Sequence, residues 1–178
     1  MSTPAIVQAI YDSGIAMWMR GSLKAMPLIE ATHVLAIATV FGTIFIVDLR
    51  LLGIAGTNRP YSVVAREMLG KTWAAFIVAV ITGALLVAPN AITYYGNTAF
   101  RLKMLALLVA GLNMVIFQIL TARSMPSWDN SPRTPGAART AALISLIVWT
   151  AIIFLGRWIG FTKGYDFSVP EDVQFEFP

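Results

Sequence analysis

The chain carries four apolar runs, each long enough to cross a bilayer and none of them alternating. A spanning helix needs roughly 20 predominantly apolar residues. Backbone in hydrocarbon must satisfy its own hydrogen bonds, which leaves helices or a closed barrel, and continuous rather than alternating hydrophobicity decides for helices. The charged fraction agrees: it is 12% here, where soluble domains carry about 25%. The expected fold is all-α, an integral membrane four-helix bundle forming a single transmembrane domain over residues 1–178. An amphipathic helix lying in the interface precedes it.

The spacing places that interfacial helix over residues 3–19, opened by Thr3 and Pro4, a cap followed by a first-turn proline. Ile6, Ala9, Ile10, Ala16 and Met17 fall on one stripe, and Trp18 and Arg20 sit at headgroup level. Because the sequence opens on Met1, this stretch reads as retained rather than as a cleaved leader. Spans are expected at about 26–52, 72–88, 100–120 and 140–158. A short amphipathic helix is expected before the second span, through Met68, and an irregular proline-bearing loop before the fourth. The tail over 161–178 alternates apolar and acidic residues and is expected to lie along a partner. Small residues four apart, Ala38 with Gly42 and Ala79 with Gly83, offer close helix approach.

Four spans put both ends of the chain on one side. The first and third loops carry seven cations and three anions, and the other side six of each. The basic bias places those loops in the cytoplasm and both termini in the periplasm. The pI of about 9.7 reflects cations beside anionic headgroups rather than nucleic-acid binding, since there is no basic run.

Cysteine is absent and histidine occurs once. That excludes disulfides, iron–sulfur clusters, thiolate zinc sites and any multi-histidine metal site within one chain. Gly70-Lys71-Thr72 imitates the end of a phosphate-binding loop, but Ala65 stands where its first glycine belongs and no strand precedes it. Asp48 and Arg50 close the first span as an interfacial pair or as contacts of Lys71. Asn113 and Gln118 read as interhelical glue.

The sole histidine, His33, lies one helical turn from Glu30. Ionisable residues inside spans are costly and often functional. A neutral imidazole can ligate haem iron while its other ring nitrogen takes an orienting partner. Arg101, Lys103 and Arg157 fall at the same membrane face and suit the propionates of a b-type haem, or anionic headgroups. The competing reading makes His33 a hydrogen-bonding residue between helices.

His33-Val34-Leu35, Gly42, Asp48-Leu49-Arg50-Leu51-Leu52-Gly53, Thr82-Gly83, Phe100-Arg101-Leu102-Lys103 and Ala110-Gly111-Leu112-Asn113 carry a resemblance across residues 28–120. Together they resemble small bacterial inner-membrane proteins distantly similar to the copper-resistance D and cytochrome-b-like membrane proteins. The resemblance implies a helical bundle in a bacterial inner membrane and a haem- or copper-linked role at His33. The expected function is a membrane subunit of a larger assembly in electron transfer, with haem b held at His33. The alternative is a cofactor-free accessory or scaffolding subunit, and a transporter or channel component ranks third. Expected partners are lipid and other membrane subunits or further copies of the chain, with no nucleic acid. No catalytic constellation for an activity of its own is visible.

Overall fold

The computed structural model describes residues 3–121 and 124–162. The expected tail beyond Thr162, with Lys163, lies outside the described residues. The elements run α1 Ala5–Tyr11, α2 Gly14–Gly21, α3 Ala25–Leu52, α4 Tyr61–Val87, a 3-10 turn Ala88–Asn90, α5 Ala91–Gly96, α6 Thr98–Thr121, α7 Met125–Trp128 and α8 Gly136–Thr162. Four stretches are long and apolar enough to cross a membrane: Ala25–Leu52, Tyr61–Gly96, Thr98–Leu120 and Gly136–Thr162. The molecule is an all-α membrane bundle.

Two boundaries differ from expectation for local reasons. The N-terminal segment is two helices, because Ser13 interrupts it: its hydroxyl accepts from Ala16 N at 3.3 Å and donates to Ile10 O at 2.7 Å. The expected single stripe is thereby split. Ala16 and Met19 are buried, whereas Ile10 and Met17 are exposed. The second span and the short helix before it are one helix from Tyr61 onward. Nothing between Met68 and Thr72 stops a helix, since a lone glycine costs only about 1 kcal/mol. At the far end Pro89 cannot donate to the ladder, and the chain tightens into the 3-10 turn before α5.

The helices pack in a row. α3 lies against α4 and α8, and α8 lies against α6. No comparable seam joins α4 to α6 among the described residues, so the bundle is open along that side. α1 and α2 pack beneath it, on the 3-10 turn and α5. Arg20 ties them there, donating to Tyr11 O at 2.9 Å and to Pro89 O at 3.3 Å. Small residues make the seams: Ala36 and Val40 of α3 are buried, as are Ala138 and Ala142 of α8. Thr43 and Thr72 hydroxyls meet at 2.8 Å between α3 and α4. Asn113 donates to Ala141 O at 3.0 Å between α6 and α8, as expected of a span amide, while Gln118 is exposed.

The end of the bundle carrying the first and third loops is a closed cap. Leu51, Tyr61, Trp128, Ala138 and Ala142 form its apolar core. Arg50 is 1% exposed and does not pair with Asp48. The two residues lie about 200° apart on the helix, so they face different neighbours. The Arg50 guanidinium donates to Arg59 O at 2.8 Å and to Asp129 O and Ser131 O at 3.2 Å, joining the two loops. Asp48 takes a hydrogen bond from Ser145 of α8. Pro60 precedes α4 and offers no capping side chain. Asp129 supplies the cap from the other loop, accepting from Ser62 N and Ser62 Oγ at 2.7 Å each. Those bonds, with the Arg50 charge nearby, hold its carboxyl below the usual aspartate range. Gly53 ends α3 at φ +73, and a Cβ there would lie 3.3 Å from Pro132 O. Only glycine allows both the left-handed turn and that approach.

Candidate functional site

At the opposite end, three spans bring polar side chains inward at one level and a fourth makes room. His33 comes from α3. Its Nδ1 lies 2.8 Å from Thr82 Oγ1 of α4. The Thr82 hydroxyl spends its own proton on Val78 O at 2.7 Å, so it accepts from His33. The network thus assigns the ring proton to Nδ1 and leaves Nε2 with a lone pair. The Ala79 carbonyl lies beside the ring as a further acceptor.

The ring is seated in a notch. A Cβ on Gly83 would stand 3.0 Å from His33 Cε1, so an imidazole fits here only because residue 83 has no side chain. The same device recurs on the other helix pair. Lys103 of α6 passes Gly156 of α8, where a Cβ would stand 3.4 Å from Nζ. Among the described residues within spans, Gly83 and Gly156 alone have a side chain within 4 Å of the Cβ position, tight at Gly83 and in ordinary contact at Gly156. Those two side chains, His33 and Lys103, are both ionisable and sit on different helix pairs. Lys103 makes no ion pair among the described residues, where Arg59 with Glu67 is the one pair present.

The remaining expected site residues lie elsewhere. Glu30 is exposed. Arg101 is exposed, donates to Tyr95 O at 3.0 Å and stacks over the Tyr95 ring at 5.2 Å. Arg157 is exposed with its guanidinium 5.5 Å from the Phe161 ring centroid. Of the four residues grouped from the sequence, the fold therefore seats His33 and Lys103 against glycines of neighbouring spans. It sets Arg101 and Arg157 on the outer surface.

Thr82 and Gly156 were not legible as site residues. Thr82 had one signal, its place beside Gly83 on the small-residue stripe with Ala79. Gly156 had none beyond being small. The paired small residues of the first span behave differently: Ala38 is exposed, and nothing lies within 4 Å of a Cβ on Gly42.

Fold and site define a polytopic α-helical membrane protein with a polar, lysine-bearing interior at one membrane face. Residues 17–162 match the DUF6644 family, a family of unknown function, and the chain belongs to it. The match takes in all four spans and both polar ends and starts within α2. No curated protein and no solved structure matches the chain.

Proposed function

We propose that the chain is a membrane-embedded subunit of a larger assembly, with His33, Thr82 and Lys103 as its functional centre. One observation carries this reading. His33 and Thr82 sit on the α3–α4 pair and Lys103 sits on the α6–α8 pair; α3 joins the pairs through α8, and among the described residues no comparable seam between α4 and α6 closes the other side. A cation and an imidazole held in lipid next to an open side call for a covering partner, because unpaired ionisable groups are expensive in hydrocarbon. A helix from another subunit or from a second copy of the chain meets that need. The membrane is a bacterial inner membrane with both termini periplasmic, on the basic bias of the first and third loops.

A haem b on His33 is the second reading, and the orientation of the ring favours it. A ligating histidine typically gives its other N–H to an acceptor, as Nδ1 does here to Thr82. The propionate clamp is not assembled, since only Lys103 of the three cations turns inward, and the ring edge is set into the Gly83 notch.

Gentle solubilisation from native membranes, followed by native mass spectrometry and an optical spectrum, tests both. The proposal expects a species heavier than one chain that Lys103→Met loosens. A stable single chain, unchanged by Lys103→Met, refutes it. A Soret band lost in His33→Ala would establish the haem reading, and its absence with no bound metal would remove it.

A further inference from the structure

The end of the bundle opposite His33 buries a carboxyl inside a span. Asp48 is 5% exposed and lies one helical turn short of Leu52, roughly 6 Å from the end of α3. Ser145, which gives it a hydrogen bond, belongs to the buried stripe of α8 that runs through Ala138, Ala142 and Ile152. The carboxyl therefore faces the seam between α3 and α8, beneath the loop cap.

No cation balances it among the described residues. Arg50 spends Nε and Nη2 on three loop carbonyls. Its Nη1 is buried without a partner, and so is Asp48 Oδ2; had the two groups met, neither atom would be left over. The one ion pair among the described residues is Arg59 with Glu67, at the surface. The Tyr61 phenol is the titratable group that interacts with Asp48 from α4, and its partner on α8, Ser145, does not titrate. An ionised carboxylate offers about four acceptor positions, and here a single hydroxyl serves them. An uncompensated charge in a dry seam is expensive enough that a buried acid keeps its proton instead.

We infer that Asp48 is a proton-binding site, its carboxyl held as the neutral acid at neutral pH, with the proton on Oδ2 and the Ser145 bond on the other oxygen. A metal ion in the proton's place would need a fuller set of oxygen donors, and no group of three or more His, Cys, Asp or Glu comes together among the described residues. One helical turn separates the site from the first and third loops, so the proton exchanges with that side. Its loss leaves an unpaired negative charge between α3 and α8, so the seam is firm with the proton bound and loosens without it. The site stands apart from His33 and Lys103 and does not depend on the function proposed for them.

The test is infrared spectroscopy of full-length protein in nanodiscs, in sodium buffer and in buffer whose only cation is N-methylglucamine. At neutral pH a protonated-carboxyl band should be present with either cation and should shift in deuterated water. Aspartate labelled with ¹³C at the side-chain carboxyl should move the band, a readout that needs no variant. Asp48→Asn should abolish it and Asp129→Asn should leave it. Thermal stability of the native protein should fall from neutral to mildly alkaline pH as the proton is lost, and that of Asp48→Asn should fall less. The site is overturned if no such band exists at neutral pH, if the label leaves it in place, if it survives Asp48→Asn, or if it appears only when sodium is withdrawn, which would make the occupant a metal cation.

Discussion

Placing a methyl group on Gly83 probes the interior site directly. In Gly83→Ala the new Cβ stands 3.0 Å from His33 Cε1, closer than carbon atoms pack. The ring must give by a few tenths of an ångström, which strains the 2.8 Å contact of Nδ1 with Thr82. Overpacking costs about 1–3 kcal/mol and the strained hydrogen bond a fraction of its roughly 1 kcal/mol. Alanine returns about 1 kcal/mol of helix propensity. The net expectation is destabilisation by about 1–2 kcal/mol. In a His33→Ala background the methyl enters vacated space and only the propensity gain remains. Gly83→Ala should then be neutral or stabilising by up to about 1 kcal/mol. The double-mutant cycle should therefore show a coupling of about 2 kcal/mol, measured by unfolding in mixed micelles. Additivity within about 0.5 kcal/mol, the behaviour of independent sites, would show that His33 does not occupy the Gly83 notch.

Three further expectations concern the cap and the orientation. Arg50→Met removes the donor from three loop carbonyls, and net of the guanidinium's relieved desolvation it should cost on the order of 2–4 kcal/mol. Hydrogen exchange should rise over residues 53–60 and 124–135 and stay unchanged in α6; uniform protection would contradict the clamp. The Asp129 carboxyl is held low first by the Ser62 bonds. Its contribution is therefore present above the ordinary aspartate range and lost as pH falls through the folded value. A thermal-stability profile from pH 7 to 3 should fall less steeply in Asp129→Asn than in the native chain, and parallel profiles would argue against the cap. In intact cells, Asn58→Cys should be shielded from impermeant thiol reagents and Thr93→Cys labelled; the reverse would invert the orientation.

The spans were legible because lipid imposes a length and a continuity that a chain cannot disguise. The break at Ser13 and the merging of α4 were not, since both turn on whether a single polar or glycine residue finds a partner. Ser13 does, bonding across its own turn, and Gly70 needs none. His33 stood out as the sole imidazole, and Lys103 only as one of three cations expected at the same membrane face. That Arg101 and Arg157 part from them follows from side-chain direction: Tyr95 and Phe161 offer each guanidinium a nearer stacking partner at the surface. Arg50 read as an interfacial residue because its acceptors are backbone carbonyls of two loops, which leave no mark in the sequence.

The seating of His33 on Thr82 through Nδ1 can be read from one nucleus pair. The chain has a single histidine, so protein labelled with ¹⁵N-histidine gives ring signals that need no assignment. In nanodiscs at neutral pH Nδ1 should be protonated and Nε2 unprotonated. Thr82→Val should shift the Nδ1 signal while leaving the spans folded. A proton on Nε2, or ring signals indifferent to Thr82→Val, would contradict it.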